Sequence, residues 1–461
     1  MGPEPRAPIV IVGAGPCGLA CARELDRLGR RDWVVLERAS QAGGLAASVL
    51  DPAGFTWDLG GHVVFSHFGD FDALLAEVMN GDICRHERSS YIRFADRWVP
   101  YPFQNNLRHL PERVIDECVQ GLAQASGGAP GMDFRTWMHA VFGEGITRHF
   151  MAPYNFKVWA TPSAEMSSDW IAERVSVVDY ERVLASLRNG RDDVAWGPNN
   201  KFVFPAMGGT GEIYRRVAAG LSDRIRYRSE VVQVLPQERR LRLADGHELA
   251  YQALVSTMPL DRLVAKLRDP PGALHRAAAQ LCHNGVYMVG VGYEAPLADA
   301  KSWMYFPQPE VPFYRATNFA KYAAANVPEA DTGRYCSYMT ETAYSEHKPE
   351  RRDGLEERVE VGLRAAGVVA GRPAVASIHV EEIEYAYPVP TTGRNEALAQ
   401  IQPWLMERAI YSRGRFGAWR YELGNMDHAV KMGIDTARRL ATGAEEELWS
   451  RETSGVNPRA K

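Results

Sequence analysis

The sequence predicts an α/β fold: a discontinuous parallel-sheet domain interrupted once by a helical insertion and once by an antiparallel sheet. Three observations predict it. The segment up to Glu37 alternates strand, glycine turn, helix and strand. Between Asp72 and Asp193 strand signals thin out and helical periodicity takes over. After Phe202 strand-like runs return, and the last long element is a helix over about Met426 to Leu440.

The chain has 461 residues, more than one hydrophobic core usually serves, so two or three domains are expected. It is 46% apolar and 24% charged, ordinary for a globular protein. A formal net charge of −4 gives no long-range attraction to nucleic acid or an anionic membrane, so an anionic ligand needs a local cluster of arginines. The six cysteines are scattered without a CxxC pair, which points away from disulfides and zinc and towards reduced thiols in the cytoplasm. The opening MGPEPRAP lacks an apolar core, and no run of about 18 apolar residues occurs, so neither secretion nor membrane spanning is expected.

The elements follow in order. Ile9–Val12 reads as a buried strand, and Leu19, Ala22, Leu25 and Leu28 recur at helical spacing over Gly18–Leu28. Val34–Leu36 is a second strand ending at Glu37. Helices are expected over Phe71–Met79, Leu110–Ala125, Asp133–Phe142 and Ser168–Leu187. Val231–Leu235 and Arg239–Leu243 alternate around a turn at Asp245-Gly246, and Ala253–Ser256 is another buried strand. Val286–Tyr293, Ser302–Phe306, Phe313–Phe319, Tyr335–Thr340 and Ala376–Ile383 read as strands of a further sheet, with a helix at Leu355–Ala366. The resulting division is 1–85, 205–265 and 408–442 for the discontinuous domain, 86–200 for a mainly helical domain and 266–407 for the antiparallel sheet. The polar tail 443–461 is expected to be disordered.

Gly13-Ala14-Gly15-Pro16-Cys17-Gly18 lies between a strand and a helix, the context in which GxGxxG binds a dinucleotide. Gly13 makes the turn, Gly15 lets backbone approach a pyrophosphate, Gly18 lets helix and strand pack, and Glu37 stands where an acid accepts ribose hydroxyls. Two glycine pairs, Gly43-Gly44 and Gly60-Gly61-His62, follow, and Gly424-Asn425-Met426 opens the last helix. Paired glycines let a chain pass close to a flat ring and its phosphates, so the dinucleotide is read as FAD on a Rossmann-like domain. No HExxH or other metal-ligand spacing appears, and no GxSxG elbow.

The chain also resembles the UDP-galactopyranose mutases of the eukaryotic (fungal) type from about Val10 to Ala441. The resemblance rests on GGHVVFSH from Gly60, WVPYPFQNN from Trp98, PYNFKVWA from Pro153, GPNNKFVFPAMGGTG from Gly197, YFPQPEVPFYRAT from Tyr305 and SRGRFGAWRYELGNMDH from Ser412. It implies interconversion of UDP-galactopyranose and UDP-galactofuranose by attack of reduced flavin N5 on the anomeric carbon, with no net redox change and with NADPH or NADH as reductant. It implies that Arg174 and Arg315 grip the diphosphate, where arginine forks pair with phosphate oxygens, and that Arg415 lies near flavin or nucleotide. Tyr305, Tyr387 and Tyr421 match tyrosines that reach the same phosphates. Tyr101, Phe103, Gln104, Asn155, Trp159 and Asn199 match nucleotide and sugar contacts, and Phe65 and Trp303 the sugar side. His62 matches the histidine at the flavin, Asn425 serves both ligands, and Arg38, Leu45, Val232 and Met426 complete the flavin set.

The chain departs from the fungal pattern at Met207, which replaces an arginine, at Glu384-Tyr385-Ala386, and in a shorter loop between Ala325 and Arg334; the oligomeric state stays open. Three alternatives stand beside the mutase: a mutase for another nucleotide sugar, an oxidase of the amine oxidase or protoporphyrinogen oxidase kind, and a catalytically silent nucleotide-sugar binder. An oxidase needs an apolar or amine-accepting cavity, which paired arginines do not provide.

Overall fold

The computed structural model describes residues 7–171, 174–194, 197 and 200–450. Its first layer is a five-stranded parallel sheet in the order Ile410–Ser412, Ala253–Ser256, Ile9–Val12, Trp33–Leu36, Ile225–Arg226. Every residue of its three central strands is buried, the continuous apolar pattern of strands covered on both faces. One face is covered by the helices Pro16–Arg27 and Met426–Thr442. Their approach needs Gly433, where a Cβ would come within 2.1 Å of the Cys17 carbonyl oxygen. The other face is covered by the antiparallel meander Val231–Leu235, Arg240–Leu243, Glu248–Ala250 and by the helices Leu260–Lys266 and Arg394–Met406.

The second layer is a seven-stranded sheet in the order Ala374–Pro388, His283–Glu294, Cys336–Tyr344, Arg315–Asn318, Trp303–Tyr305, Ser90–Phe94, Arg97–Pro100. It is antiparallel except where Trp303–Tyr305 runs parallel to Ser90–Phe94. The helices Glu112–Ala123, Phe134–Ile146, Ala152–Trp159 and Tyr180–Asn189 gather around an aromatic core against the Ser90–Pro100 edge. The first helix, Gly69–Met79, Leu355–Ala365, Met426–Thr442 and the strand runs after Phe202 lie where the periodicity puts them, within a few residues.

Three expectations are corrected. Ser90–Phe94 and Arg97–Pro100 are strands inside the segment expected to be helical, and Ile83–Glu87 pairs with Lys201–Pro205. Their short runs are weak alone: Arg97–Pro100 is an edge strand paired only with its neighbour Ser90–Phe94, while Ser90–Phe94 and Ile83–Glu87 are completed by Trp303–Tyr305 and Lys201–Pro205, more than a hundred residues away. The helix expected over Ser168–Leu187 starts only at Tyr180, where the Asp179 carboxylate caps it by accepting from the Arg182 amide. Before it, Val175 and Ser176 lie outside any helix and, with Arg174, face a cavity. The start of the expected tail is ordered, Glu447–Ser450 being a helical turn and Glu446 buried against Arg413, while 451–461 lie outside the described residues. Composition marks such a segment as polar but cannot show that its carboxylate has a buried partner. No described helix is long and apolar enough to cross a membrane.

Candidate functional site

A cavity of about 890 Å³ runs between the two layers. At one end lie the strand ends and loops of the parallel sheet, with Gly13, Gly15, Glu37, Arg38, Gly44 and Leu45; at the other lie the sheet and helical residues Tyr101, Tyr305 and Arg315. The helix Pro16–Arg27 begins here without a side-chain cap, so its first amides are free for an anion. Gly15 and Gly44 nearly touch: a Cβ on Gly44 would sit 3.2 Å from the Gly15 Cα. Glu37 is fixed by accepting from the amides of Ala14, at 2.7 Å, and Ala39, at 2.8 Å. This glycine cradle, amide-rich helix start and anchored acid fit an FAD.

Most expected site residues converge on the cavity. Gly60, Gly61, His62, Phe65, Tyr101, Gln104, Asn155, Trp159, Arg174, Trp303, Tyr305, Arg315, Tyr387, Arg415, Tyr421, Gly424, Asn425 and Met426 all line it. Four do not. Phe103 is fully buried in the helical core, stacked on Phe150 at 4.7 Å, because Tyr101 and Gln104 take the outward positions of that turn. Val232 is exposed while its strand neighbour Val231 faces the cavity, the alternation of a strand. Gly18 and Gly43 stand behind the lining; a Cβ on Gly18 would strike the Gly13 carbonyl oxygen at 2.0 Å. Asn199 lies outside the described residues.

Arginine chemistry dominates the sheet end. Arg174 donates through Nη1 to the Asn425 side-chain oxygen at 2.8 Å and through Nη2 to the Glu422 carbonyl at 3.1 Å, with its guanidinium over the Tyr421 ring. Arg415 donates to the carbonyls of Gly424 and Ala386. Arg315 is held by Glu341, both of whose oxygens lie 2.7 Å from Nη2. The Nε atoms of Arg174 and Arg315 are buried without a partner among the described residues. Burial is the largest single influence and works against the Arg315 charge, but Glu341 together with Tyr387 and Tyr314 outweighs it and keeps the guanidinium ionised. Around these arginines Tyr305 and Tyr387 have pKa values raised chiefly by burial, so both remain phenols that can donate at neutral pH.

His62 follows the glycine pair, its amide donating to the Gly60 carbonyl at 2.7 Å and its Nδ1 lying 4.0 Å from Asp58. Its pKa is lowered to about 4, first by withdrawal from water and then by Arg415 and Arg315, against the opposing pull of Glu341. The imidazole is neutral at physiological pH. Behind it the Asp58 carboxylate accepts from Ser48 and Thr210, and burial pushes its pKa up to about 6. At the start of the last helix Asp427 accepts from the His67 amide and bonds the rings of His67 and His428, a buried cluster whose ligand atoms lie within 4.8 Å of one another.

Sequence reasoning missed Glu341, Tyr314, Tyr154 and Arg88, all on the cavity wall. Glu341 carried a readable signal, the lone charged residue in the strand Cys336–Tyr344, all but one of whose residues are buried. Its partners are set by register, which places Tyr305 opposite Arg315 and Arg315 opposite Glu341.

With this geometry in view, known proteins place the chain. The family of flavin containing amine oxidoreductases matches residues 16–441. A solved structure of a reduced UDP-galactopyranose mutase is 38% identical with a TM-score of 0.93, over 97% of this chain and 96% of that one. A putative protoporphyrinogen oxidase from Exiguobacterium sp. 255-15 shares the fold at 15% identity and a TM-score of 0.72, over 95% and 99% of the two chains. Cyclohexylamine oxidase from Brevibacterium oxydans IH-35A does so at 16% and 0.66, over the same shares. The likeness to the oxidases is one of fold alone, whereas the mutase shares both fold and more than a third of its residues. The chain therefore belongs to the UDP-galactopyranose mutases, flavin-dependent isomerases within the amine oxidoreductase family.

Proposed function

We propose that this protein interconverts UDP-galactopyranose and UDP-galactofuranose on reduced FAD, which, when bound, supplies the nucleophile for the anomeric carbon. The observation that carries this reading is that Arg174, Arg315 and Arg415 share one cavity with the glycine cradle, two of them with a buried Nε that has no partner among the described residues. A leaving diphosphate gains negative charge as its bond to the sugar breaks, and fixed arginine donors stabilise it most at that moment. Arg174 and Arg315 would hold the diphosphate, with Tyr305, Tyr387 and Tyr421 donating to its oxygens. Tyr101, Gln104 and Asn155 would receive the nucleoside. Gln104 already donates to the Ser176 carbonyl at 2.6 Å, which leaves its side-chain oxygen as the acceptor for the base. Phe65 and Trp303 would wall the sugar, and the buried Trp303 indole N–H has no partner among the described residues. His62, being neutral, would orient the flavin-side turn without adding charge.

NADPH or NADH would reduce the flavin by borrowing the same pocket, since the sequence holds no second dinucleotide fingerprint. The reading also places the enzyme in the cytoplasm and among the eukaryotic-type mutases, on the scattered cysteines and the shared motifs. The test is anaerobic turnover of UDP-galactopyranose or UDP-galactofuranose after a single reduction with dithionite. Many turnovers per reduction, and flavin bleaching by NADPH that slows as UDP rises, are expected. NADPH consumed one-for-one with product would overturn the mutase in favour of an oxidoreductase.

A further inference from the structure

Glu341 holds two parts of the site at once. Its carboxylate accepts from Arg315 on the neighbouring strand, from the Tyr314 hydroxyl, and from the Gly61 amide in the turn that precedes His62. The side chain is buried, yet it borders the cavity, and its ionised form is kept by Arg315 in spite of burial. The contact with the turn is close by construction. A Cβ on Gly61 would lie 3.1 Å from a Glu341 oxygen, 3.2 Å from the Arg315 Nε and 2.8 Å from the Thr317 hydroxyl. Tyr314 extends the cluster to Tyr387, its hydroxyl 3.3 Å from the Tyr387 hydroxyl. One carboxylate thus ties a guanidinium assigned to the diphosphate, a tyrosine pair, and the backbone turn assigned to the flavin.

Such a shared acceptor transmits load. A diphosphate that draws on Arg315 competes for the charge that Glu341 now neutralises, and the carboxylate then leans more on Gly61 and Tyr314. Any shift of the turn that accompanies flavin reduction would alter the same bonds from the other side. We propose that Glu341 is a positioning residue that couples diphosphate binding to the oxidation state of the flavin through Arg315 and Gly61. The proposal rests on the reading of the cavity as a joint FAD and UDP-sugar site. It assigns no bond-making role to Glu341.

Linkage makes the coupling measurable without turnover: if oxidation state changes the affinity for UDP by some factor, UDP changes the flavin equilibrium by the same factor. The experiment measures the dissociation constant of UDP for the oxidised and for the dithionite-reduced FAD-loaded protein, in the wild type and in E341Q and E341D. In the wild type the two constants are expected to differ by about fivefold or more, the usual scale of site-to-site coupling. Each tenfold is about 30 mV in the two-electron midpoint potential when UDP is added. In E341Q, which keeps shape but cannot accept from three donors at once, the ratio should fall to within about twofold of one. E341D keeps the charge but draws it back by one methylene, and should fall between. A wild-type ratio retained in E341Q overturns the proposal, and so does a wild-type ratio near one. If E341Q does not retain FAD, an unreduced ratio in E341D overturns it equally. Absence of UDP binding to either form would instead bring down the diphosphate reading and this proposal with it.

Discussion

Removing the carboxylate of Glu446 should destabilise the whole nucleotide domain, although the residue lies far along the chain from its sheet. Arg413, directly after the strand Ile410–Ser412, is completely buried, and Glu446 meets it in two bonds, at 2.7 Å from Nε and 2.9 Å from Nη2. Thr436 adds a bond to the same carboxylate at 3.0 Å, and the Trp449 ring lies 3.7 Å from the guanidinium. Glu446→Gln keeps the shape and leaves the arginine charge uncompensated, which costs about 3–5 kcal/mol for a buried pair broken on one side. With an unfolding entropy near 2.1 cal/mol/K per residue, a cooperative unit of about 450 residues loses roughly 3–5 °C in melting temperature. The assay is thermal denaturation followed by flavin fluorescence, at one fixed FAD concentration because bound ligand shifts the midpoint. The double variant Arg413→Met, Glu446→Leu removes both charges and should recover most of the loss. Glu446→Gln melting within about 1 °C of the wild type would refute the reasoning, because a buried guanidinium cannot lose its counter-ion without cost.

Arg315→Ala and Arg174→Ala should each lower turnover by about 2–4 kcal/mol in transition-state free energy, thirty- to a thousandfold, while FAD stays bound. Steady-state kinetics beside the flavin absorbance checks this, and a variant with wild-type turnover removes its arginine from the diphosphate site. Lys157 is buried, donating to the carbonyls of Gln308 and Val311, and burial lowers its pKa to about 7. A base whose folded pKa lies below its unfolded value of about 10.5 binds fewer protons when folded, so this group's contribution grows as pH rises from about 7 towards 10.5. Between pH 7 and 9 the wild type should gain roughly 2–3 kcal/mol relative to Lys157→Met, read from urea unfolding across that range, and parallel pH profiles would contradict it.

The sequence by itself determined the parallel-sheet domain, because its signals are local. A buried strand, a glycine turn, a helix stripe and a terminal acid all fall between Ile9 and Glu37. It also determined most of the cavity lining, since the long motifs around His62, Tyr101, Asn155, Tyr305 and Tyr421 carry their chemistry in consecutive residues. Only the tertiary structure decided which residues of those motifs turn inwards. Phe103 and Gln104 are neighbours in one turn, yet one completes an aromatic core and the other faces the cavity. Only the structure, too, found the carboxylates that hold the arginines, Glu341 on Arg315, Glu422 on Arg394 and Glu446 on Arg413. Their separations of 26, 28 and 33 residues cross from one element to another, beyond the reach of any single helix or strand period. A buried charge selects its partner by distance through space, and that distance is fixed by sheet register and helix docking, which no local pattern encodes.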